Sequence, residues 1–545
     1  PDFIAQRNLG GRTYYGNQLA TYSYAQDTWR IRPNLTLNLG ARYEFTTVPE
    51  GEQAQSLNAA ASVPGLLNFK KPSADPFGIA PRVGFAYTPT KDGLTVIRGG
   101  FSMAYDVFFD NVGLLSVPPQ FSNTVDVTNA NQNPGFLANG GITPAFGLAG
   151  NTPAQLRAAT SAYIPDQKLP YSINYNLTAE HVFAKDYTLD VGYIGTKGVH
   201  LITQVQLDRQ SPVTATQNLP TFLSTPSAAT LAALPFTLGQ LQAIGDQVPA
   251  YANAGFTAPI TSFTPQGYSD YNALTVTLKK RLAKGLQYQA AYTWSHLIDN
   301  STAEVASTFL SPRRAENFFD LSAEKASSAL DRRQRFTLSL LYDAPWFKGS
   351  NNWMLKNLAG NWEVAPIYTY ESPELFTPQS GVDSNLNGDS APDRTIINTA
   401  GTSGTASTVV GLSATGAVLP SGSPNIVAYL AQNPNARYIQ AGLGAFANAG
   451  RNTQASRPID NIDFSLIKHF AVHERFKIDL AGQAFNLFNH PQFLPGGSID
   501  NANTTNNFLG STQAYVTVSN PLFNNPTNTF SSNPRVLQVT AKFLW

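Results

Sequence analysis

The sequence predicts an all-β fold: a transmembrane antiparallel β-barrel whose long loops carry short helices. Three observations predict it. Segments of about ten residues alternate apolar and polar side chains, the length a tilted strand needs to cross a bilayer. The connections between them alternate short and long. Charged residues make up 13% of the chain and hydrophobic ones 42%, whereas a soluble globular protein carries roughly 25% charge.

Taken in order, LTLNLGARYEF (35 to 45) sets Leu35, Leu37, Leu39, Ala41, Tyr43 and Phe45 on one side. Thr36, Asn38, Gly40, Arg42 and Glu44 fall on the other, since successive strand side chains point oppositely. VGFAY and TVIRGGFSMAY form a hairpin around TPTKDG, and YSINYNLTAEHVF turns through AKD into YTLDVGYIG. YNALTVTLKKR and LQYQAAYTWSH flank LAKG; NIDFSLIKHF and RFKIDLAGQAF flank AVHE; RFTLSLLY and NWEVAPIYTY flank a longer connection. Roughly fourteen such segments result, with short turns expected at one end of the barrel and long loops at the other. Three loop segments, TPAQLRAATSAY, TPSAATLAAL and SPNIVAYLAQ, carry Ser or Thr before Pro and predict short helices.

Composition narrows the classes. With 545 residues, core size is not limiting. The absence of cysteine removes disulfides, thiolate zinc sites and thiol catalysis. A formal net charge of +1 with scattered basic residues leaves no nucleic-acid footprint. No apolar run reaches the ~18 to 20 residues of a membrane-spanning helix. A closed barrel is then the form in which this chain satisfies its backbone groups in lipid. The opening PDFIAQRNLG has neither an initiator Met nor a charged-then-apolar leader, which reads as a processed or truncated product.

The apolar face is rich in aromatics near strand ends: Trp29, Tyr43, Phe45, Tyr87, Tyr105, Phe183, Tyr187, Trp294, Tyr342, Trp362 and Tyr370. Such rings form the girdles of membrane barrels, although aromatics also favour strands generally. The other face, with Arg42, Glu44, Arg98, Glu180, Gln287 and Gln289, is too polar for a packed core and suits a wet lumen or a plug contact. At the C-terminus, RVLQVTAKFLW alternates Leu537, Val539, Ala541, Phe543 and Trp545. That ending resembles the signal by which the barrel-assembly machinery recognises outer-membrane barrels.

QLATYSYAQDTWRIRPNLTLNLGARYEF, PRVGFAYTPTKDGLTVIRGGFSMAYD, YNALTVTLKKRLAKGLQYQAAYTWSHLID, GRNTQASRPIDNIDFSLIKHF and FNLFNHPQF resemble the barrel of TonB-dependent receptors of the Oar-like group. The resemblance covers nearly the whole chain. It implies a barrel of about 22 strands in the bacterial outer membrane, preceded by a plug domain. It further implies that residues 1–545 are the C-terminal part of the barrel, with plug and first strands absent. The implied partners are outer-membrane lipid, the assembly machinery, a TonB-type energising complex acting through the plug, and a solute.

Chemistry is sparse. The six histidines (His181, His200, His296, His469, His473 and His490) form no HExxH pair, and no GxSxG or GxxxxGK[ST] occurs. His469 and His473 read as exposed turn residues, and DRRQRF (331 to 336) as a membrane border or a partner for Asp320 and Asp331. DSNLNG followed by Asp389 matches the first half of a calcium loop, with Asp383, Asn385, Asn387 and Asp389 as oxygen ligands. The twelfth position is Arg394 in place of Glu, Asp393 lies one residue early, and Asn/Asp/Gly clusters also make ordinary turns. The expected function is uptake of an oligosaccharide, peptide or metal chelate through a plugged barrel, without covalent chemistry. The alternatives are a surface adhesin or structural barrel, a protein-export component, and a secreted all-β enzyme or carbohydrate-binding protein, the enzyme lacking a catalytic constellation in this chain.

Overall fold

A computed structural model describes residues 4–10, 17–49, 54–108, 112–113, 122–128, 135–142, 152–302, 310–312, 314–389, 393–473, 476–493, 512–530 and 532–544. Its main sheet is an antiparallel meander in which each strand pairs with the next. The strands are β1 (Ala20–Arg32), β2 (Leu35–Thr46), β3 (Ile79–Tyr87), β4 (Thr95–Tyr105), β5 (Tyr171–Phe183) and β6 (Tyr187–Gln206). They continue as β7 (Thr261–Ala283), β8 (Leu286–Asp299), β9 (Gln334–Asp343), β10 (Trp362–Glu371), β11 (Ile459–His473), β12 (Phe476–Phe485) and β13 (Val536–Leu544). Two two-residue strands, Ala162–Tyr163 and Ala326–Ser327, add to β7 and β8. The path has thirteen strands where the sequence suggested roughly fourteen. Among the described residues it does not close: β1 and β13 each pair along one edge.

The strands form where β-branched and aromatic residues alternate with polar ones, and they end where the chain needs a conformation that side chains resist. At the β7–β8 turn Lys284 (φ 54) and Gly285 (φ 78) are both left-handed, the geometry of a two-residue hairpin that follows strand twist. A Cβ on Gly285 would lie 2.3 Å from the Asp343 carbonyl, so glycine is required there. The strand bounds correct two expectations. Backbone pairing carries β7 through Ala283 and β11 through His473, which shortens the LAKG and AVHE turns.

The short connections lie at one end of the sheet and the longest at the other, as the alternation implies, with the 344–361 link an extended member of the short-turn end. The long connections fold into a cap with its own secondary structure. Helices α1 (Pro153–Ala159), α2 (Ala228–Ala232), α3 (Leu238–Gln242) and α4 (Pro249–Ala254) are here, and Thr152 and Thr237 each close a capping box. SPNIVAYLAQ is not a helix. Its Ala428–Ala431 is a strand between Val409–Leu412 and Thr221–Phe222, because cross-strand pairing and burial of Ile426 and Tyr429 override the weak helical signal. The apolar core belongs to the cap: five buried clusters, built on residues such as Leu241, Phe256, Phe108, Tyr515 and Leu231, take only Ile202 and Phe263 from the main strands.

Candidate functional site

Pairing register alone fixes which side chains share a face. Leu37 lies between Trp29 and Phe85, Phe101 between Val83 and Tyr175, and Leu274 between Tyr193 and Trp294. The same face continues through Phe336 opposite Tyr370, Phe464 opposite Pro366, and Phe543 opposite Ile478. Leu537, Val539 and Ala541 share it; Trp545 lies outside the described residues. Its aromatics fall into two bands. Trp29, Tyr87, Phe183, Tyr187, Tyr342 and Trp362 sit near the short turns, and Tyr43, Tyr105, Tyr175, Trp294 and Tyr370 near the long loops. From Tyr175 to Phe183 is about 27 Å of strand at ~3.4 Å per residue. With a strand tilt of about 40°, that spans most of an apolar band ~25 Å tall.

Two lysines mark the short-turn margin of this face. Lys280 Nζ donates to the carbonyls of Ala283 (3.1 Å) and Leu286 (3.0 Å), 5.7 Å from the centre of the Tyr187 ring. Lys468 Nζ donates to the Gly360 carbonyl and sits 4.9 Å from the Trp362 ring centre. Long cationic side chains bury their stems and reach polar groups at such boundaries. The sequence reading missed both, although each interrupts an apolar register beside an aromatic.

Arg42, Glu44, Arg98, Glu180, Gln287 and Gln289 all share the opposite face. Arg98 lies opposite Ala86 and Thr178, Glu180 opposite Val96 and Asp190, Gln289 opposite Lys279 and Ser339, and Gln287 opposite Leu341. The charges neutralise one another locally. Arg42 pairs with Glu44 at 3.0 Å and lies 4.6 Å from the Tyr22 ring centre, and Arg98 pairs with Glu180 at 3.2 Å.

A buried ion network ties the 300–333 connection to the 372–458 connection. Arg451 pairs with Asp299 and donates to the Glu324 carbonyl at 3.0 Å. Arg394 bridges Glu316 (3.1 Å) and Glu324 (3.0 Å), and Arg314 Nε holds both Asp389 carboxylate oxygens at 2.9 and 3.0 Å. In DRRQRF, Arg332 pairs with Glu371 and Glu374, and Arg333 pairs with Asp331; Asp320 instead accepts the Ser322 N–H. His469 is a strand residue, its Nδ1 2.7 Å from Asp479, not an exposed turn residue.

The turn at 383–389 is wrapped by its own hydrogen bonds. Asp383 accepts the N–H groups of Asn387 and Gly388, Asn385 Oδ1 accepts that of Asn387, and Asn387 Oδ1 accepts that of Asp389. Burial, then the fields of Asp389 and Asp246, raise Asp383 above the ordinary carboxylate range. The donor chemistry of Asp383, Asn385 and Asn387 suits an oxygen-seeking cation, whereas Asp389, both of whose oxygens are held by Arg314, and the second half of the loop depart from it. There Arg394 is held by two glutamates, and Asp393 accepts the Ser384 hydroxyl and the Asn385 N–H. No group of three or more His, Cys, Asp or Glu placed for a metal occurs among the described residues.

An antiparallel sheet with an aromatic-banded apolar face, a polar reverse face and a cap at one end is the wall of a membrane β-barrel. Residues 4–538 match the family described as outer membrane beta barrel domain, and the chain belongs to that family. It is a protein of the bacterial outer membrane, and the family is one of membrane barrels, not of enzymes. No curated protein sequence matches the chain. Among solved structures it is similar to the outer membrane transporter YddB from Escherichia coli, at 9% identity and a TM-score of 0.39, covering 87% of this chain and 42% of that one. It is similar also to the FrpB iron transporter from Neisseria meningitidis, at 10% identity and a TM-score of 0.40, covering 97% and 46%. A third is a variant of the ferric enterobactin receptor PfeA from Pseudomonas aeruginosa, at 11% identity and a TM-score of 0.37, covering 88% and 41%. The chain spans less than half the length of each.

Proposed function

We propose that the chain is the C-terminal wall and loop cap of a TonB-dependent receptor of the Oar-like group, serving uptake of a bulky solute such as an oligosaccharide, peptide or metal chelate. In this reading Arg42, Glu44, Arg98, Glu180, Gln287 and Gln289 face the lumen, and Leu537 to Trp545 address the assembly machinery. The observation that carries it is the cap: long loops at one end only, packed to a protein-like interior above a sheet with one polar face. The test uses the full-length protein. A transported solute is expected to protect the 207–260 and 372–458 connections from proteolysis, and its uptake by cells stops when the energising complex is removed. Attachment to cells or matrix without solute uptake would overturn the importer reading in favour of an adhesin.

We propose calcium as the cation of the 383–389 turn. Supporting it, no lysine or arginine pairs with Asp383 among the described residues, while Asp389 and Asp246 have Arg314 and Arg209. Millimolar calcium is expected to slow amide exchange across 383–389, with reversal by chelator. Unchanged exchange and no heat of binding would remove the ion.

A further inference from the structure

One connection at the short-turn end differs from its neighbours. The β9–β10 link, residues 344–361, reads APWFKGSNNWMLKNLAGN, where the other turns at this end are a few mostly polar residues. Trp346, Phe347, Trp353, Met354, Leu355 and Leu358 are all exposed, between 42% and 61%. An exposed apolar group of this size on an ordered segment marks a contact surface. The segment is pinned by its backbone: Ala344 N–H donates to Trp362 O (2.8 Å) and Gly360 N–H to Leu355 O (2.9 Å). Asn352 Oδ1 accepts the N–H groups of Met354 and Leu355, and Asn361 Nδ2 donates to Lys356 O. The fold therefore presents these side chains in a fixed arrangement, exposed among the described residues.

We infer that residues 344–361 form an in-plane lipid anchor seated in the headgroup and upper acyl region of the periplasmic leaflet. Continuity with the apolar face names the occupant. The Trp346 ring meets Tyr342 of the lower aromatic band, with centroids 6.1 Å apart and planes at 70°. The segment ends at Trp362 of the same band, whose indole N–H donates to Leu358 O (3.2 Å), and its Gly360 carbonyl receives Lys468. Short turns of outer-membrane barrels are periplasmic. Aromatics with Met and Leu interspersed with lysines, here Lys348 and Lys356, have the composition of interfacial segments. The anchor holds the β9–β10 corner at a set depth and is independent of what the barrel transports.

The test places the full-length protein in phosphatidylcholine and phosphatidylglycerol vesicles, with and without phospholipid brominated high on the acyl chain. The probe is the tryptophan emission lost between wild type and the Trp346→Phe/Trp353→Phe double variant. That emission is expected to fall at least two-fold with brominated lipid and to be little affected by aqueous iodide. Quenching by iodide alone would overturn the anchor and leave a wet loop; protection from both would overturn it in favour of a protein contact. Residues 1–545 contain no cysteine, so Met354→Cys carrying an environment-sensitive dye, with any cysteine elsewhere in the full-length protein replaced by serine, repeats the measurement without removing an aromatic ring. Heat-modifiable migration verifies that each variant is folded.

Discussion

Arg451→Met probes whether the cap is a folded unit held by buried charge. The Arg451 side chain is 2% exposed, and besides Asp299 and Glu324 it donates to the hydroxyls of Thr302 (3.0 Å) and Ser311 (3.3 Å). Methionine keeps the apolar stem and removes the charge. Glu324 retains Arg394, but among the described residues Asp299 keeps only the Thr302 hydroxyl at 3.0 Å and is left as a buried, uncompensated carboxylate. Breaking a buried pair from one side costs about 3–5 kcal/mol, or roughly two to three and a half decades in the open population of the cap. Native-state hydrogen exchange on the full-length protein reads this at Ala449 and Asn452, whose amides donate to Thr395 O and Thr377 Oγ1. Exchange there is expected to accelerate at least 100-fold while amides in the middle of β5 and β8 keep their protection. Adding Asp299→Asn should recover most of the loss, since it removes the orphaned charge. Exchange within two-fold of wild type, or a double variant no better than the single, would refute the network as the tie between these connections.

Gly195→Val should destabilise the barrel by about 1–3 kcal/mol through overpacking, because a Cβ there would sit 2.1 Å from the Tyr175 ring, whose hydroxyl donates to Asn272 at 2.9 Å. Gly482→Ala, with nothing within 4 Å, is the control and should unfold with wild type on semi-native gels run across temperature. The cap should also be firmer in mild acid. Burial, reinforced by Glu316, raises Asp393 well above its usual range, and burial raises Glu316 itself. A carboxyl raised on folding keeps its proton longer in the folded chain than in the unfolded one. Its contribution to stability is therefore full below the unfolded pKa and is lost as pH rises through the folded value. Protection at Asn385 and Arg394, corrected for intrinsic exchange, should be greater at pH 5 than at pH 7.5; the reverse order would contradict it.

How far the sequence could be read depended on whether the signal was local. Period-two alternation is local, so Thr95–Tyr105 and Tyr171–Phe183 match their sequence segments residue for residue, and the shared face of Arg42, Arg98, Glu180 and Gln289 follows from register. Turn chemistry is nearly as local, and errors at LAKG and AVHE are of one to three residues. The cap was less legible. Ser423–Pro424 signals a helix start, yet Ala428–Ala431 becomes a strand because Thr221–Phe222 and Val409–Leu412 lie beside it. Arg451 with Asp299 and Arg394 with Glu316 join residues far apart in the chain, and no pattern announces them. Lys280, Lys468 and the apolar connection at 344–361 were visible in the sequence, but only their place at one margin of the sheet gives them meaning.

The location of the core bears on the uptake function proposed above. In the main sheet one face meets lipid and the other is polar, so the strands themselves bury little apolar surface against the chain. The apolar clusters and the buried arginines lie instead in the long connections. Connections that were unstructured until a solute arrived would have to be ordered by it, at roughly 1–2 kcal/mol of backbone entropy for each residue fixed. Here that ordering is already offset by burial of residues such as Leu238, Ile426, Phe376 and Tyr515, each fully buried. In the proposed uptake function a solute meeting the described part of the cap meets a preformed surface, and recognition by preformed surfaces loses less affinity to ordering. Weakening the cap at Arg451 should then lower solute affinity even where the substituted residue never touches the solute, whereas an equal destabilisation of the sheet at Gly195 should leave affinity unchanged as long as the barrel remains folded.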